Sequence, residues 1–148
     1  MSEKNYFLDT SALFKRYTDE QGTKTINKVF EEKANLFISQ LTITEVTSNL
    51  KRLVEIDRLI TDAEFRQVLK VFLGDIAGGA IYTLDVTPKV VLKSVDLCTE
   101  HYLTSIDALQ LATALSIKSG NPVFVCSYHK LIEVAEGYGL QILNPLSA

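Results

Sequence analysis

Hydrophobic residues along this chain follow two alternating patterns, short continuous runs and longer stretches with helical spacing. Five short runs bounded by turn residues predict strands at Tyr6–Leu8, Leu36–Ser39, Ile81–Leu84, Val123–Cys126 and Gln141–Leu143. Between them, apolar residues recur every three or four positions, which predicts helices after Thr42, Thr61, Thr87 and Ser105. Such an alternation indicates an α/β fold in which helices cover both faces of a mainly parallel sheet.

The chain has the size and composition of one ordinary globular domain. Its 148 residues predict a single domain over 1–148, because a chain of this length buries roughly 68–70% of its unfolded surface in one core. Hydrophobic residues make up 47% and charged residues 22%, which argues against disorder. The segment from Gly74 to Gly79 is the glycine-containing break long enough to predict a loop.

Charge, cysteine content and the start of the chain restrict the environment and the partners. A net charge of −3 is the wrong sign for a protein that coats nucleic acid nonspecifically, although a nuclease can take positive charge from a metal ion. Cys98 and Cys126 lack C-x-x-C spacing and are interpreted as reduced core residues. No apolar stretch reaches the ~20 residues of a membrane span, and the N-terminal residues lack the pattern of a signal peptide. We therefore expect a cytoplasmic protein.

Three acidic residues lie where chemistry is expected in such a fold. Asp9 follows the first predicted strand, Glu45 lies near the start of the second helix-forming stretch, and Asp107 opens a stretch that is apolar nearly all round. In an open parallel sheet, strand ends and helix starts line the crevice that holds ligands. Carboxylates gathered there repel one another, so a cation between them is expected. An all-oxygen site suits Mg²⁺ or Mn²⁺ better than zinc.

Each acid also has a purely structural interpretation. Asp9 is a good helix N-cap, and Thr42-x-x-Glu45 matches a capping box in which the glutamate bonds a backbone N–H. Taken singly, both residues favour these interpretations. Asp107 could serve in a first helical turn through the helix dipole, but it heads an apolar stripe, where a carboxylate needs a partner. For Asp107 the functional interpretation is favoured.

Four segments taken together resemble the PIN-domain family, especially the VapC-like toxins of prokaryotic toxin–antitoxin pairs. The first contains Asp9, the second Glu45 and the third Asp107, and the fourth looks like the family's closing strand; the segments are residues 6–13, 41–46, 105–114 and 139–145. One D-T-S sequence alone would be weak evidence. Four ordered segments at family-like spacing are strong evidence, and the match extends over nearly the whole chain.

The resemblance implies a three-layer α/β/α fold and a Mg²⁺- or Mn²⁺-dependent endoribonuclease that cleaves single-stranded RNA. It also implies a homodimer and a tightly bound antitoxin that covers or distorts the acidic pocket. Asp9, Glu45 and Asp107 correspond to the catalytic, metal-binding acids, and Thr10 or Ser11 would supply a hydroxyl that bonds to them. The residues that bind the RNA chain are not indicated.

One segment departs from the family pattern. After Val123–Val125 the family usually has Thr/Ser-x-Asp, whose aspartate is a fourth acid, whereas Tyr128 stands at that position here. A phenol is neutral at physiological pH and does not offset metal charge as a carboxylate does. This favours an alternative, a catalytically weakened PIN fold that binds protein or RNA. A Rossmann-like nucleotide-binding protein is a third possibility, but no glycine-rich phosphate loop follows the first strand.

If the three acids form a site, they must satisfy two structural conditions. The carboxyl groups of Asp9, Glu45 and Asp107 should converge on one pocket at the carboxyl edge of the sheet. Without metal or a basic partner, at least one of the three should have a raised pKa, because burial and a neighbouring carboxylate both disfavour ionisation. An acid on the opposite edge would contradict the metal-site interpretation.

Overall fold

The computed structural model describes residues 4–117 and 120–147, so the first three residues of the N-terminal segment considered above lie outside it. The elements within these ranges are, in chain order, β1 (Lys4–Leu8), α1 (Thr10–Tyr17), α2 (Thr23–Glu31), β2 (Ala34–Ser39), α3 (Gln40–Glu55), α4 (Asp62–Ala77), β3 (Tyr82–Leu84), α5 (Pro88–His101), α6 (Ser105–Leu115), β4 (Val123–Val125), α7 (His129–Gly137) and β5 (Gln141–Leu143). None of these helices combines the length and the hydrophobicity needed to cross a membrane.

The strands form one parallel sheet in the order β3-β2-β1-β4-β5. All five predicted strands are present, and the predicted α/β fold with a parallel sheet is confirmed. From the central strand β1 the chain builds outward to β2 and β3, and later returns to add β4 and β5 on the other side. Connections therefore leave the carboxyl ends of β1 and β4 in opposite directions, and a crevice opens at such a switch point.

Helices cover both faces of the sheet and create two apolar layers. Side chains alternate along β1, so Tyr6 and Leu8 join one core and Phe7 joins the other. Phe7 stacks on Phe124 of the neighbouring strand β4, with ring centroids 5.8 Å apart. All four of these side chains are almost fully buried. The three-layer α/β/α arrangement is thus confirmed.

Helix starts agree with the sequence where the cap is local. Thr61 and Glu64 form the predicted capping box at the start of α4. The helix α3 begins earlier than predicted, because Ser39 at the end of β2 accepts a hydrogen bond from the N–H of Leu41 at 3.2 Å. Thr42 therefore lies inside α3, and the capping-box interpretation of Glu45 is wrong. Its carboxylate is free for another role.

Two helices and one loop differ from the prediction. Neither α2 nor α7 was predicted, although Ile26 and Val29 have the spacing of one buried helical face. The loop expected from Gly74 onward begins later, since α4 continues through Gly74 to Ala77. A glycine inside a helix costs only about 1 kcal/mol relative to alanine, which the packing of a long helix offsets.

Candidate active site

Asp9 lies at the switch point of the sheet and begins α1. Its backbone N–H donates to the carbonyl of Val125 on β4 at 3.1 Å, which ties it to the neighbouring strand. Its carboxylate accepts hydrogen bonds from the N–H of Ala12 at 2.8 Å and from the hydroxyl of Ser11 at 3.0 Å. The N-cap interpretation is therefore correct. Only 6% of Asp9 is exposed, far less than an ordinary surface cap requires.

The surroundings of Asp9 disfavour its charge. Burial is the main cause that raises the pKa of the Asp9 carboxyl, and the negative charge of Asp107 raises it further. Hydrogen bonds from the N–H of Ala12 and from the side chains of Cys126 and Ser11 act in the opposite direction without cancelling the effect. The expected raised pKa is therefore present. No ion pair involving Asp9 occurs within residues 4–117 and 120–147.

Cys126 places an uncharged thiol beside Asp9. The structure shows the two cysteines as free thiols, as predicted, with Cys126 fully buried. Burial raises the pKa of the Cys126 thiol, and the negative charge of Asp9 adds to the effect. The thiol therefore keeps its proton and donates it to the carbonyl of Tyr128, 3.8 Å from the sulfur.

Glu45 is held in a buried polar network instead of a helix cap. The hydroxyl of Thr10 donates to its Oε1 at 2.6 Å, and the amide nitrogen of Gln110 approaches the same oxygen at 3.2 Å. The Gln110 nitrogen also lies 3.0 Å from the hydroxyls of Thr10 and Thr42. Both contacts to Glu45 engage Oε1, so Oε2 is left for the pocket. The network joins α1, α3 and α6.

Gln110 is a functional candidate that the sequence interpretation missed. It is 2% exposed in the middle of α6, and its carbonyl Oε1 is buried without a hydrogen-bond partner among the residues that the structure describes. Burying an unpaired carbonyl is costly, which indicates that the amide is retained for the contacts made by its nitrogen. A glutamine in a stretch that is otherwise apolar nearly all round was the available clue.

Asp107 reaches the same place from a helix. It lies in the first turn of α6, and its N–H donates to the hydroxyl of the N-cap Thr104 at 3.4 Å. It is half-buried and close enough to Asp9 to affect the pKa of that carboxyl. Because α6 precedes β4, Asp107 does not follow a strand, yet its helix starts at the edge where β1 ends.

A single cavity of about 280 Å³ brings the three acids together. Its other lining residues are Thr10, Ser11, Asn49, Ile106, Gln110 and Tyr128. Both candidate hydroxyls take part, since Ser11 bonds Asp9 and Thr10 bonds Glu45. Among the residues that the structure describes, no lysine or arginine lines this cavity.

The residues present fit a cation that keeps part of its water shell better than one that is fully enclosed by protein ligands. Within the described part of the chain, no three His, Cys, Asp or Glu side chains form a ready-made metal cage. Mg²⁺ needs no such cage, because it keeps several waters and is commonly bound through one or two carboxylates plus substrate phosphate. Asp9, buried beside Asp107 without a basic partner, supplies that kind of donor pair. The oxygen-only donor set excludes a typical zinc site.

Tyr128 faces the cavity at the position where the family pattern has a fourth acid. It is the N-cap residue of α7 and lies three residues after Val125, the last residue of β4 that pairs with β1. The residue is 47% exposed and lines the same cavity as Asp9 and Asp107. Counted over the described residues, the cavity is therefore lined by three carboxylates and one aromatic side chain.

Comparison with known proteins is consistent with this geometry. The family model described as PIN domain matches residues 6–121. A toxin–antitoxin complex from Klebsiella pneumoniae has a chain of similar structure, with a TM-score of 0.64, 19% identity, and coverage of 95% of this chain and 98% of that chain. VapBC2 from Rickettsia felis, bound to a DNA fragment from its promoter, gives 0.66 and 15% identity, with coverage of 94% and 97%. FitAcB from Neisseria gonorrhoeae gives 0.66 and 15%, with coverage of 97% and 99%. No curated protein matches the sequence.

Proposed function

The chain belongs to the PIN domain family, whose members are generally nucleases, and on that premise we propose that it is a metal-dependent endoribonuclease that cleaves single-stranded RNA. We further propose that it is the toxin of a toxin–antitoxin pair. The observation that carries the proposal is the buried carboxylate of Asp9. It has no ion-pair partner in the described ranges and shares one cavity with Glu45 and Asp107.

Asp9 and Asp107 are the proposed ligands of Mg²⁺ or Mn²⁺. The hydrogen bonds from Ser11 and from the N–H of Ala12 orient the Asp9 carboxylate, so its direction does not depend on the ion. When bound, the ion would ligate a phosphate oxygen, lower the pKa of a water and offset negative charge that develops on the phosphate. Three carboxylates make a symmetric two-metal clamp unfavourable, which supports one well-held ion.

Glu45 is the proposed general base that orients or deprotonates the attacking water. Thr10 and Gln110 both hold Oε1, which leaves Oε2 as the oxygen that can accept a proton in the cavity. A general base needs a defined position within hydrogen-bond reach of its substrate. Gln110 and Thr10 fix the position of Glu45, because they are hydrogen-bonded to each other and each is hydrogen-bonded to Glu45.

An antitoxin and a second copy of the chain are the proposed protein partners. The proteins of similar structure include a toxin–antitoxin complex from Klebsiella pneumoniae, which supports a partner of that class. A groove of about 400 Å³ between α1, α3 and α4 is lined by apolar side chains such as Phe14, Leu53 and Val68. Val91, Leu92 and Val95 of α5 are exposed and leave an apolar surface that a homodimer would cover.

The rival proposal is a weakened PIN fold that binds RNA or protein without cleaving it. Tyr128 is the feature that favours it, because the cavity lacks a fourth carboxylate. The two proposals predict opposite results in one experiment. Purified protein is incubated with labelled, unstructured RNA in Mg²⁺ or Mn²⁺, with and without EDTA.

An active nuclease degrades the RNA only without EDTA, and Asp107→Asn abolishes the degradation while the variant stays folded. Asp96→Asn, on the exposed side of α5, is the matched control and should cleave like the wild type. RNA that is bound but never cleaved under any of the metal conditions would favour the rival. Neither binding nor cleavage would refute the nuclease proposal and the RNA-binding form of the rival, and would leave protein binding as the function.

A further inference from the structure

Two large apolar side chains stand exposed beside the acids of the cavity. Tyr128 is 47% exposed and Ile106 is 38% exposed, and both line the cavity that contains Asp9 and Asp107. Ile106 immediately precedes Asp107 in the first turn of α6. A ligand that covers apolar surface at the mouth of an acidic pocket removes that surface from water, which favours binding. A ligand with both a charged part and an apolar part would therefore fit the acids and this surface.

The backbone around Tyr128 is anchored, while its ring is left free. Its N–H donates to the sulfur of Cys126 at 3.3 Å, and its carbonyl accepts from the N–H of Ile132 at 3.0 Å. In the part of the chain that the structure describes, its hydroxyl makes no hydrogen bond and its ring no aromatic or cation–π contact. An anchored residue with a free aromatic face loses little conformational entropy when a flat group packs on it.

The chemistry of the cavity selects the group that packs there. Three carboxylates repel an anionic side chain, and none of the described residues that line the cavity carries a positive charge that would attract a free acid. A nucleotide has a phosphate that a cation at Asp9 and Asp107 attracts and a neutral, planar base joined to it. Bases stack on aromatic side chains in single-stranded RNA recognition.

We propose that Tyr128 and Ile106 form a base-binding subsite, in which the Tyr128 ring stacks on a nucleobase adjacent to the phosphate bound at the acids. The inference rests on the proposed function and deepens it, because it assigns residues of the substrate-binding surface. The family pattern has a fourth carboxylate here, which would attract the cation. The aromatic ring of this chain would attract the base instead. Stacking of one base on an aromatic ring corresponds to roughly 5- to 150-fold in affinity.

The test couples a protein change to an RNA change. Binding of a fluorescein-labelled, single-stranded RNA is measured by anisotropy in Ca²⁺, and cleavage by single-turnover kinetics in Mg²⁺. Tyr128→Leu should weaken binding about tenfold and raise the half-saturating protein concentration by a similar factor, with a smaller effect on the maximal rate. Tyr128→Phe and Tyr128→Trp should retain binding. Tyr82→Leu, at a residue of equal exposure (48%) outside the cavity, should bind like the wild type.

RNAs that lack one base at a time identify the stacked nucleotide. At one position, removal of the base should weaken wild-type binding about tenfold and leave Tyr128→Leu unaffected, since the two changes remove the same contact. Equal effects of base removal on both proteins at every position would overturn the subsite. If RNA is cleaved in that case, the proposed function stands without it. If the wild type neither binds nor cleaves RNA, both fail.

Discussion

The network around Glu45 can be tested by converting one amide into a carboxyl. Gln110→Glu keeps the shape of the side chain and replaces the amide nitrogen, 3.2 Å from Oε1 of Glu45, with an oxygen. Two carboxylates at that distance repel by about 5 kcal/mol at an effective dielectric constant of 20. The alternative is that one of the two keeps a proton. The cheaper of these two outcomes determines the loss of stability.

Keeping a proton is the cheaper outcome. A glutamic acid with an ordinary pKa near ~4.3 must bind a proton against a gradient of about 2.7 pH units at pH 7, which costs about 3.7 kcal/mol. We therefore expect Gln110→Glu to lower the free energy of unfolding by about 3–4 kcal/mol at pH 7. The folded state has the raised pKa, so the loss should shrink by about 1.4 kcal/mol for each unit that the pH falls below 7, to about 1 kcal/mol at pH 5, and nearly vanish near pH 4.

Urea unfolding followed by circular dichroism at pH 4.5, 5.5 and 7 measures this loss against the wild type at each pH. Gln110→Leu removes the same hydrogen bonds but also the unpaired carbonyl, so it should lose only about 1–2 kcal/mol, without pH dependence relative to the wild type. Gln67→Glu, exposed on α4, should stay within about 0.5 kcal/mol at every pH. A pH-independent loss for Gln110→Glu would show that its side chain does not face Glu45.

Three further changes test the electrostatics of the cavity and the local caps. Asp9→Asn should raise the thermal midpoint of the metal-free protein at pH 7, because burial raises the pKa of Asp9 and asparagine keeps the N-cap. The gain should shrink as the pH falls below the raised pKa of folded Asp9 and disappear near pH ~4, where the carboxyl of the unfolded chain is protonated as well, and a lowered midpoint at pH 7 would contradict the argument. Tyr128→Asp should tighten Mg²⁺ or Mn²⁺ binding about tenfold in calorimetry and raise the cleavage rate at limiting metal, while it lowers metal-free stability; unchanged metal affinity would show that position 128 does not reach the ion. Thr61→Ala should cost about 1 kcal/mol in urea unfolding through loss of the capping box, whereas Thr99→Ala, at an exposed position within α5, should be neutral.

Local patterns predicted local structure well where one segment contains all the interacting groups. The capping box of Thr61 and Glu64 lies within four residues, so the sequence reveals both partners. The same pattern at Thr42 and Glu45 is misleading, because Ser39 competes for the helix start and Glu45 has better partners far away in sequence. Capping motifs report which bonds are possible, and the tertiary neighbours select among them.

The sequence could assign a residue to the site only where an acid occurred in a distinctive local sequence pattern. Asp9 and Asp107 have such settings, after a buried strand and at the head of an apolar helix, and both line the cavity. Gln110 has no such setting, since it looks like one polar residue in a buried helix. Its role depends on Thr10, which lies 100 positions earlier in the chain. Tyr128 was noticed only because it departs from the pattern of the family.

The sequence by itself determined the five strands, most of the helices and the acids that precede or follow them, since apolar runs and caps act between residues close in the chain. Only the tertiary structure decided which of these groups meet. The placement of β4 beside β1 creates the crevice, brings Tyr128 next to Asp9, and buries Asp9 deeply enough to raise its pKa. Burial and charge interactions depend on distance in space, and the strand order sets those distances. No single segment of the sequence reveals that strand order.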